Sequence, residues 1–182
     1  MDPTARYIPF RHTPLPQGNN SIRLLRLIPN KNETAIIKCQ LFNYSLEPDS
    51  HQYDALSYVW GNPNETLPLF IDEHVLHITV NLHAALLRLR DHSLERIIWV
   101  DAVCIDQANK EEKEHQIQSM VRIYGQANRV IVWLGKAEND SNRALESIRS
   151  VAEDESVNVS NSQKAVLALL RRPWFKRIWV RK

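Results

Sequence analysis

The chain has 182 residues, 43% of them hydrophobic and 24% charged, the composition of a soluble globular protein with enough apolar residues for a sizeable core. Its 23 basic and 21 acidic residues leave a formal net charge of +2, too small to point to nucleic acid, and its two cysteines, Cys39 and Cys104, exclude a disulfide scaffold. No apolar run approaches the roughly 18 residues a membrane span needs, and the proline-rich N-terminus has no signal-peptide core, so the sequence reads as cytoplasmic.

Residues 1–20, with Pro3, Pro9, Pro14 and Pro16, read as an extended arm. Residues 22–28 and 35–44 read as an antiparallel hairpin turning at Pro29-Asn30-Lys31-Asn32. A third strand over 53–60 stops at Gly61-Asn62-Pro63-Asn64. Residues 67–72 and 74–79 form a second hairpin with Asp72-Glu73 at its tip. The spacing of Leu82, Ala85, Leu86 and Leu89 predicts a helix over 81–90.

The stretch 96–135 reads as strand, acidic loop, amphipathic helix and strand, a parallel βαβ unit. Its helix, about 110–127, carries the stripe Ile117, Met120, Val121 and Tyr124, and Asn109 with Glu112 makes a capping-box pattern. Residues 129–134 (RVIVWL) are almost all apolar, as in a strand buried on both faces. Helices follow over 141–151 and 163–171, separated by a polar stretch, the second ended by Pro173. The last segment is apolar up to its final two residues and reads as cut off rather than finished.

In open parallel α/β sheets, ligands sit outside the carboxyl ends of the strands. There the sequence places Asp101, Cys104, Asp106 and Gln107. Asp101 and Asp106 either bind a hydroxyl, polarise a bond or take a proton, or else cap the loop and helix that follow. Glu112 fits a cap better than a catalytic acid. Cys104 has acidic neighbours, which raise a thiol pKa, so it reads as a buried structural residue. His74 and His77, three apart on a strand, point to opposite faces, and no metal site is expected. Ser57 lacks the Gly-x-Ser-x-Gly turn, and the four glycines form no phosphate cradle. Trp99 and Trp133 read as core. Trp60, before Gly61 at a strand end, either packs or stacks on a planar ligand.

These residues carry a resemblance. Tyr53-Asp54-Ala55-Leu56-Ser57-Tyr58-Val59-Trp60-Gly61 resembles the opening motif of the fungal heterokaryon incompatibility (HET) domain. Ile78-Thr79-Val80-Asn81-Leu82 resembles its next block. Trp99-Val100-Asp101-Ala102-Val103-Cys104-Ile105-Asp106-Gln107, with Glu112, Gln116, Met120 and Ile123-Tyr124, resembles its longest motif. Val132-Trp133-Leu134-Gly135 and Pro173-Trp174-Phe175 with Trp179-Val180 complete the set, which covers residue 53 to the end. Asp106 stands where the family usually has Asn, and Lys113 where it has Arg. After Trp-Val the family continues x-Gln-Glu; Lys182 holds the Gln position, so that Glu would lie just past it.

HET domains are distantly similar to TIR domains. The resemblance implies an α/β fold with a TIR-like (flavodoxin-like), mainly parallel sheet flanked by helices, preceded by additional antiparallel strands. It divides the chain into an arm (1–20) and a single domain (21–182) with its TIR-like core at about 53–182. The implied function is an effector of cell death in non-self recognition, acting by self-association and with protein partners of the incompatibility pathway. By the TIR likeness, the alternatives are cleavage of NAD, as a substrate and not a resident cofactor, or binding of a nucleotide without turnover. The candidate ligand pocket is Ser57, Tyr58, Trp60, Gly61, Asn62, Asp101, Asp106 and Gln107, with Glu112 and Trp179 as further candidates. Trp60 and Gly61 would border the nucleotide and Asp101 or Asp106 would hold a ribose. The acid past Lys182 would stabilise an oxocarbenium-like transition state, leaving this chain inactive by itself.

Overall fold

The computed structural model describes residues 7–16, 20–46, 52–154 and 162–177; Trp179 and the chain end at Lys182 lie outside them. The elements are β1 (Ile8–Pro9), β2 (Ser21–Leu27), β3 (Lys38–Ser45), β4 (Asp54–Tyr58), β5 (Thr66–Ile71), β6 (His74–Thr79), α1 (Val80–Leu89), β7 (Arg96–Trp99), α2 (Asp101–Cys104), α3 (Lys110–Gly125), β8 (Arg129–Trp133), α4 (Ser141–Glu153) and α5 (Gln163–Leu170). They form two compact units, Met1–Trp133 and Leu134–Lys182. Among the described residues no helix is long and apolar enough to cross a membrane.

The first unit is an α/β structure on one sheet of order β1-β6-β5-β3-β2-β7-β4-β8. Both hairpins form where turn residues and alternation place them. β2 pairs with β3 from Ser21↔Ser45 to Leu27↔Cys39, and β5 with β6 across a tip at which Asp72 takes φ 50°. The three strands β7, β4 and β8 lie side by side and parallel, Asp54 opposing Ile98 on one flank and Arg129 on the other. The Asp54 carboxylate accepts from Arg96 Nη1 and from Arg129 Nε and Nη2, each at 3.1 Å. It thereby ties together the amino ends of these strands.

The sheet as a whole is mixed: among the described residues four strand pairings are parallel and three antiparallel. The antiparallel hairpin β2–β3 precedes the parallel strands in the chain and joins the same sheet, because β2 pairs antiparallel with β7 and closes an edge that would otherwise stand open. β3 pairs parallel with β5, and β1 parallel with β6. The central position of β2 explains why Ile22, Leu24, Leu25 and Leu27 are all buried although they point to both faces.

Helix α1 buries Leu82, Ala85 and Leu86 of the expected stripe with Leu89 partly buried beside them, and Thr79 Oγ1 caps it by accepting from the Leu82 N–H at 3.4 Å. Helix α3 is rotated from the expected phase. Gln116 and Ile123 face inward with Met120 and Tyr124 beside them, while Ile117 is 50% and Val121 86% exposed. This phase lets the Gln116 amide donate to Ser21 O and the Tyr53 hydroxyl donate to Ile123 O at 2.6 Å. It also sets Tyr124 edge-on to the buried Trp99, with centroids 5.4 Å apart. Burial raises the Tyr53 phenol pKa. β8 is an edge strand, not one buried on both faces, and Val130 and Val132 are exposed.

The second unit holds α4, α5 and a short 3₁₀ turn, Pro173–Lys176. Its helices are linked by Ser147 and Ser162, whose hydroxyl oxygens are 2.7 Å apart. Arg172 donates to Leu134 O and Glu138 O, which fixes the start of the unit to its last helical turn.

Candidate functional site

The carboxyl ends of β7, β4 and β8 open onto a common rim, which the amino end of α1 completes. β4 runs into Val59-Trp60-Gly61, and Gly61 turns the chain with φ 83°. β7 runs through Val100 into Asp101, where the expected acidic loop is a single helical turn, α2. Trp60 Nε1 donates to Asp101 Oδ2 at 3.0 Å, and Asp101 Oδ1 accepts from the Ala102 N–H at 2.8 Å. Gln107 reaches back to donate to Asp101 O at 2.8 Å, and its buried Oε1 has no partner among the described residues. The sequence-derived pair Trp60 and Asp101 is thus in direct contact, with the indole 40% exposed and its edge fixed.

Asn81, which no local pattern in the sequence marks as a rim residue, joins the remaining parts. Its amide donates to Val59 O at 2.6 Å and its oxygen accepts from Trp133 Nε1 at 3.0 Å. It therefore bridges the ends of β4 and β8. Trp133, expected in the core, is half-buried and belongs to the rim. The available signal was a polar residue in the first turn of a helix that begins straight after a strand. A Cβ on Gly61 would sit 3.3 Å from Asn81 Cβ, and positive φ costs an L-residue roughly 1–2 kcal/mol. Gly61→Ala should therefore lower stability by about 1–2 kcal/mol in urea unfolding. A midpoint equal to that of the unsubstituted chain would show that this turn tolerates a side chain.

The other sequence candidates separate. Asn62 shapes the turn, with Nδ2 donating to Glu65 Oε1 and Oδ1 accepting from Asn64 N–H. Ser57 and Tyr58 lie in β4, Tyr58 buried at its end. Asp106 accepts from the Ala108 N–H and lies 3.8 Å from His12 on the arm. Glu112 binds Arg23 in bidentate fashion, at 2.6 and 2.9 Å, and accepts from the Asp106 N–H at 2.8 Å. The Cys104 thiol is buried, and desolvation with the nearby Asp101 charge pushes its pKa up to about 12. A thiol so held is no nucleophile near neutral pH. Trp179 lies outside the described residues. Among those residues no group of three or more His, Cys, Asp or Glu is placed to hold a metal ion.

Chemically, the rim offers one carboxylate, one anchored indole with part of its surface in water, and a bridging amide.

The heterokaryon incompatibility protein (HET) family profile matches residues 53–182. Over 153 residues the chain is 34% identical to heterokaryon incompatibility protein 6, OR allele, of Neurospora crassa. That match covers 77% of this chain and 22% of the relative, so the chain spans about a fifth of the length of the protein it resembles. No solved structure matches the chain.

Proposed function

We propose, from the premise that this chain belongs to the heterokaryon incompatibility (HET) family, that it is an effector domain of fungal non-self recognition. In this reading it promotes cell death through self-association and recruitment of pathway partners. One observation carries it. Four separated blocks of the family motif, at 53–61, 78–82, 99–107 and 132–135, converge on one rim through the contacts of Trp60, Asn81, Asp101, Gln107 and Trp133. Unrelated core positions have no reason to meet through side-chain hydrogen bonds at a strand end. The test is expression in fungal cells. Trp60→Ala with Asp101→Asn should restore colony survival at least tenfold over the unsubstituted chain, with a thermal midpoint within a few degrees of it. Undiminished killing by that double variant would overturn the proposal.

A second reading, cleavage of NAD, is favoured by the rim itself. β7-β4-β8 is a 2-1-3 order in chain sequence, and doubly wound sheets bind ligands beside such an order, at strand carboxyl ends. Here the likeness is TIR-like (flavodoxin-like), with Trp60 stacking on a ring and Asp101 holding a ribose. A chain extended past Lys182 should release nicotinamide from NAD and lose that activity with Asp101→Ala. No release from the extended protein would end this reading.

A further inference from the structure

The N-terminal arm grips the helical turn that carries Asp101. Its outer end is anchored on β5 and β6. Tyr7 lies edge-on to Phe70, with centroids 4.7 Å apart, and β1 pairs with His74 and Val75. The Phe10 N–H donates to Val75 O at 2.8 Å, and the Phe10 ring meets those of His12 and His74 edge-on. The arm then reaches α2. His12 Nε2 lies 2.8 Å from Val103 O, and because a carbonyl only accepts, that nitrogen carries the hydrogen. His12 Nδ1 is 3.8 Å from Asp106 Oδ1. Thr13 O accepts from Arg23 Nη2 at 2.6 Å, and Arg23 Nη1 donates to Cys104 O at 3.1 Å. Yet none of the arm residues 7–16 is buried, and Ile8 is 68% exposed.

We infer that the arm is a releasable clamp on the rim, with His12 as the residue that positions Asp101 through α2. The inference rests on the rim as the site of the function proposed above and names what holds it. A single helical turn does not hold by itself, because it fixes many dihedrals for few hydrogen bonds. Here three of its carbonyls accept from side chains: Asp101 O from Gln107, Val103 O from His12 and Cys104 O from Arg23. The arm supplies the second and steadies the third through Thr13 O. At the start of the same turn, Asp101 Oδ2 takes the Trp60 indole N–H. A segment with little buried apolar area is among the first parts of a fold to open. Opening the arm therefore withdraws two supports of the turn and lets Asp101 and Trp60 part while the sheet stays folded. The bond from Trp133 to Asn81 joins β8 to α1 without passing through α2, so it stays closed.

Hydrogen exchange followed by NMR on the 182-residue chain tests this. The Phe10 amide should exchange about a hundredfold faster than the Leu24 and Leu25 amides of the central strand β2. His12→Ala should speed exchange of the Trp60 indole N–H about tenfold and leave that of Trp133 within about twofold. His12→Gln, whose Nε2 keeps a donor for Val103 O, should restore the slower rate. Phe10→Ala, which loosens the outer anchor, should shift Trp60 in the same direction as His12→Ala. A Phe10 amide that exchanges only with the core overturns the inference. So does a Trp60 indole indifferent to His12→Ala, or a rate that His12→Gln fails to restore. An equal change at both indoles marks general loosening and overturns it too. If the Trp60 rate responds as expected while the Trp60→Ala, Asp101→Asn double variant still kills fungal cells, the clamp stands and the proposed function falls.

Discussion

Arg90→Ala should lower the free energy of unfolding by about 3 kcal/mol, seen as a lower urea midpoint at unchanged slope. Arg90 ends α1 and is almost fully buried. Its guanidinium donates to Ala35 O and Ile36 O through Nη1, at 2.8 and 3.1 Å, and to Asn32 O and Glu33 O through Nη2, at 3.0 and 2.9 Å. One planar fork thus gathers four carbonyls of the β2–β3 connection, and no carboxylate takes part. A hydrogen bond from a charged donor contributes about 1.5–3 kcal/mol. The sum must be discounted, because this connection lies at the surface and its carbonyls regain water once released. Arg90→Lys should recover less than half of the loss, since a point charge with three donors cannot span the fork. The connection also has turn bonds of its own, with Asn32 N–H to Asn30 Oδ1 and Thr34 N–H to Asn32 Oδ1. A loss below about 1 kcal/mol would mean those bonds suffice and Arg90 merely fills space.

Arg90 also marks the boundary of what the sequence makes legible. Hairpins, α1 and the three parallel strands are visible because they rest on local periodicity and turn residues, and Trp60 and Asp101 follow from where parallel strands must end. The docking of β2 on β7 is not visible. No local pattern says which strand a hairpin will pair with, and that pairing makes the sheet mixed. The phase of α3 illustrates a second limit. Two stripes overlap on it, one through Ile117 and Val121, the other through Gln116, Met120 and Ile123. Hydropathy selects the first; the second wins because the Gln116 amide finds Ser21 O, 95 positions away in sequence. The places of Asn81 and Trp133 at the rim are hidden for the same reason, since their hydrogen bond exists only after β8 and α1 have come together. Glu112 was half legible. Asn109 Oδ1 does cap the helix by accepting from the Glu112 N–H at 3.1 Å, but the Glu112 carboxylate turns to Asp106 and Arg23 instead of closing a capping box.

That turn makes Glu112→Gln the most damaging single change expected, at about 3–5 kcal/mol. Arg23 is 2% exposed on a central strand. Besides Glu112 it reaches Cys104 O and Thr13 O, neutral acceptors that bind its N–H groups without balancing its charge. Removing the carboxylate leaves a buried cation unpaired, which costs more than the pair contributes. Replacing both residues with apolar ones of similar volume, Arg23→Met with Glu112→Leu, should therefore cost less than Glu112→Gln alone. The pH dependence follows the same chemistry. Burial pushes the Glu112 carboxyl up, but the hydrogen bonds and charge of Arg23 and the Asp106 N–H outweigh burial and hold it below the ordinary carboxylate range. A carboxyl depressed in the folded state contributes stability that is complete above its unfolded pKa, about 4.3, and is lost as pH falls through the folded value. The stability gap between the unsubstituted chain and Glu112→Gln should stay constant above about pH 5 and narrow below it. Equal gaps at neutral and strongly acid pH would show that the carboxylate's charge does not hold Arg23. The consequence reaches the rim, because Arg23 grips Cys104 O at the end of the helical turn that begins with Asp101. Loosening Arg23 should therefore release the carboxylate that Trp60 holds.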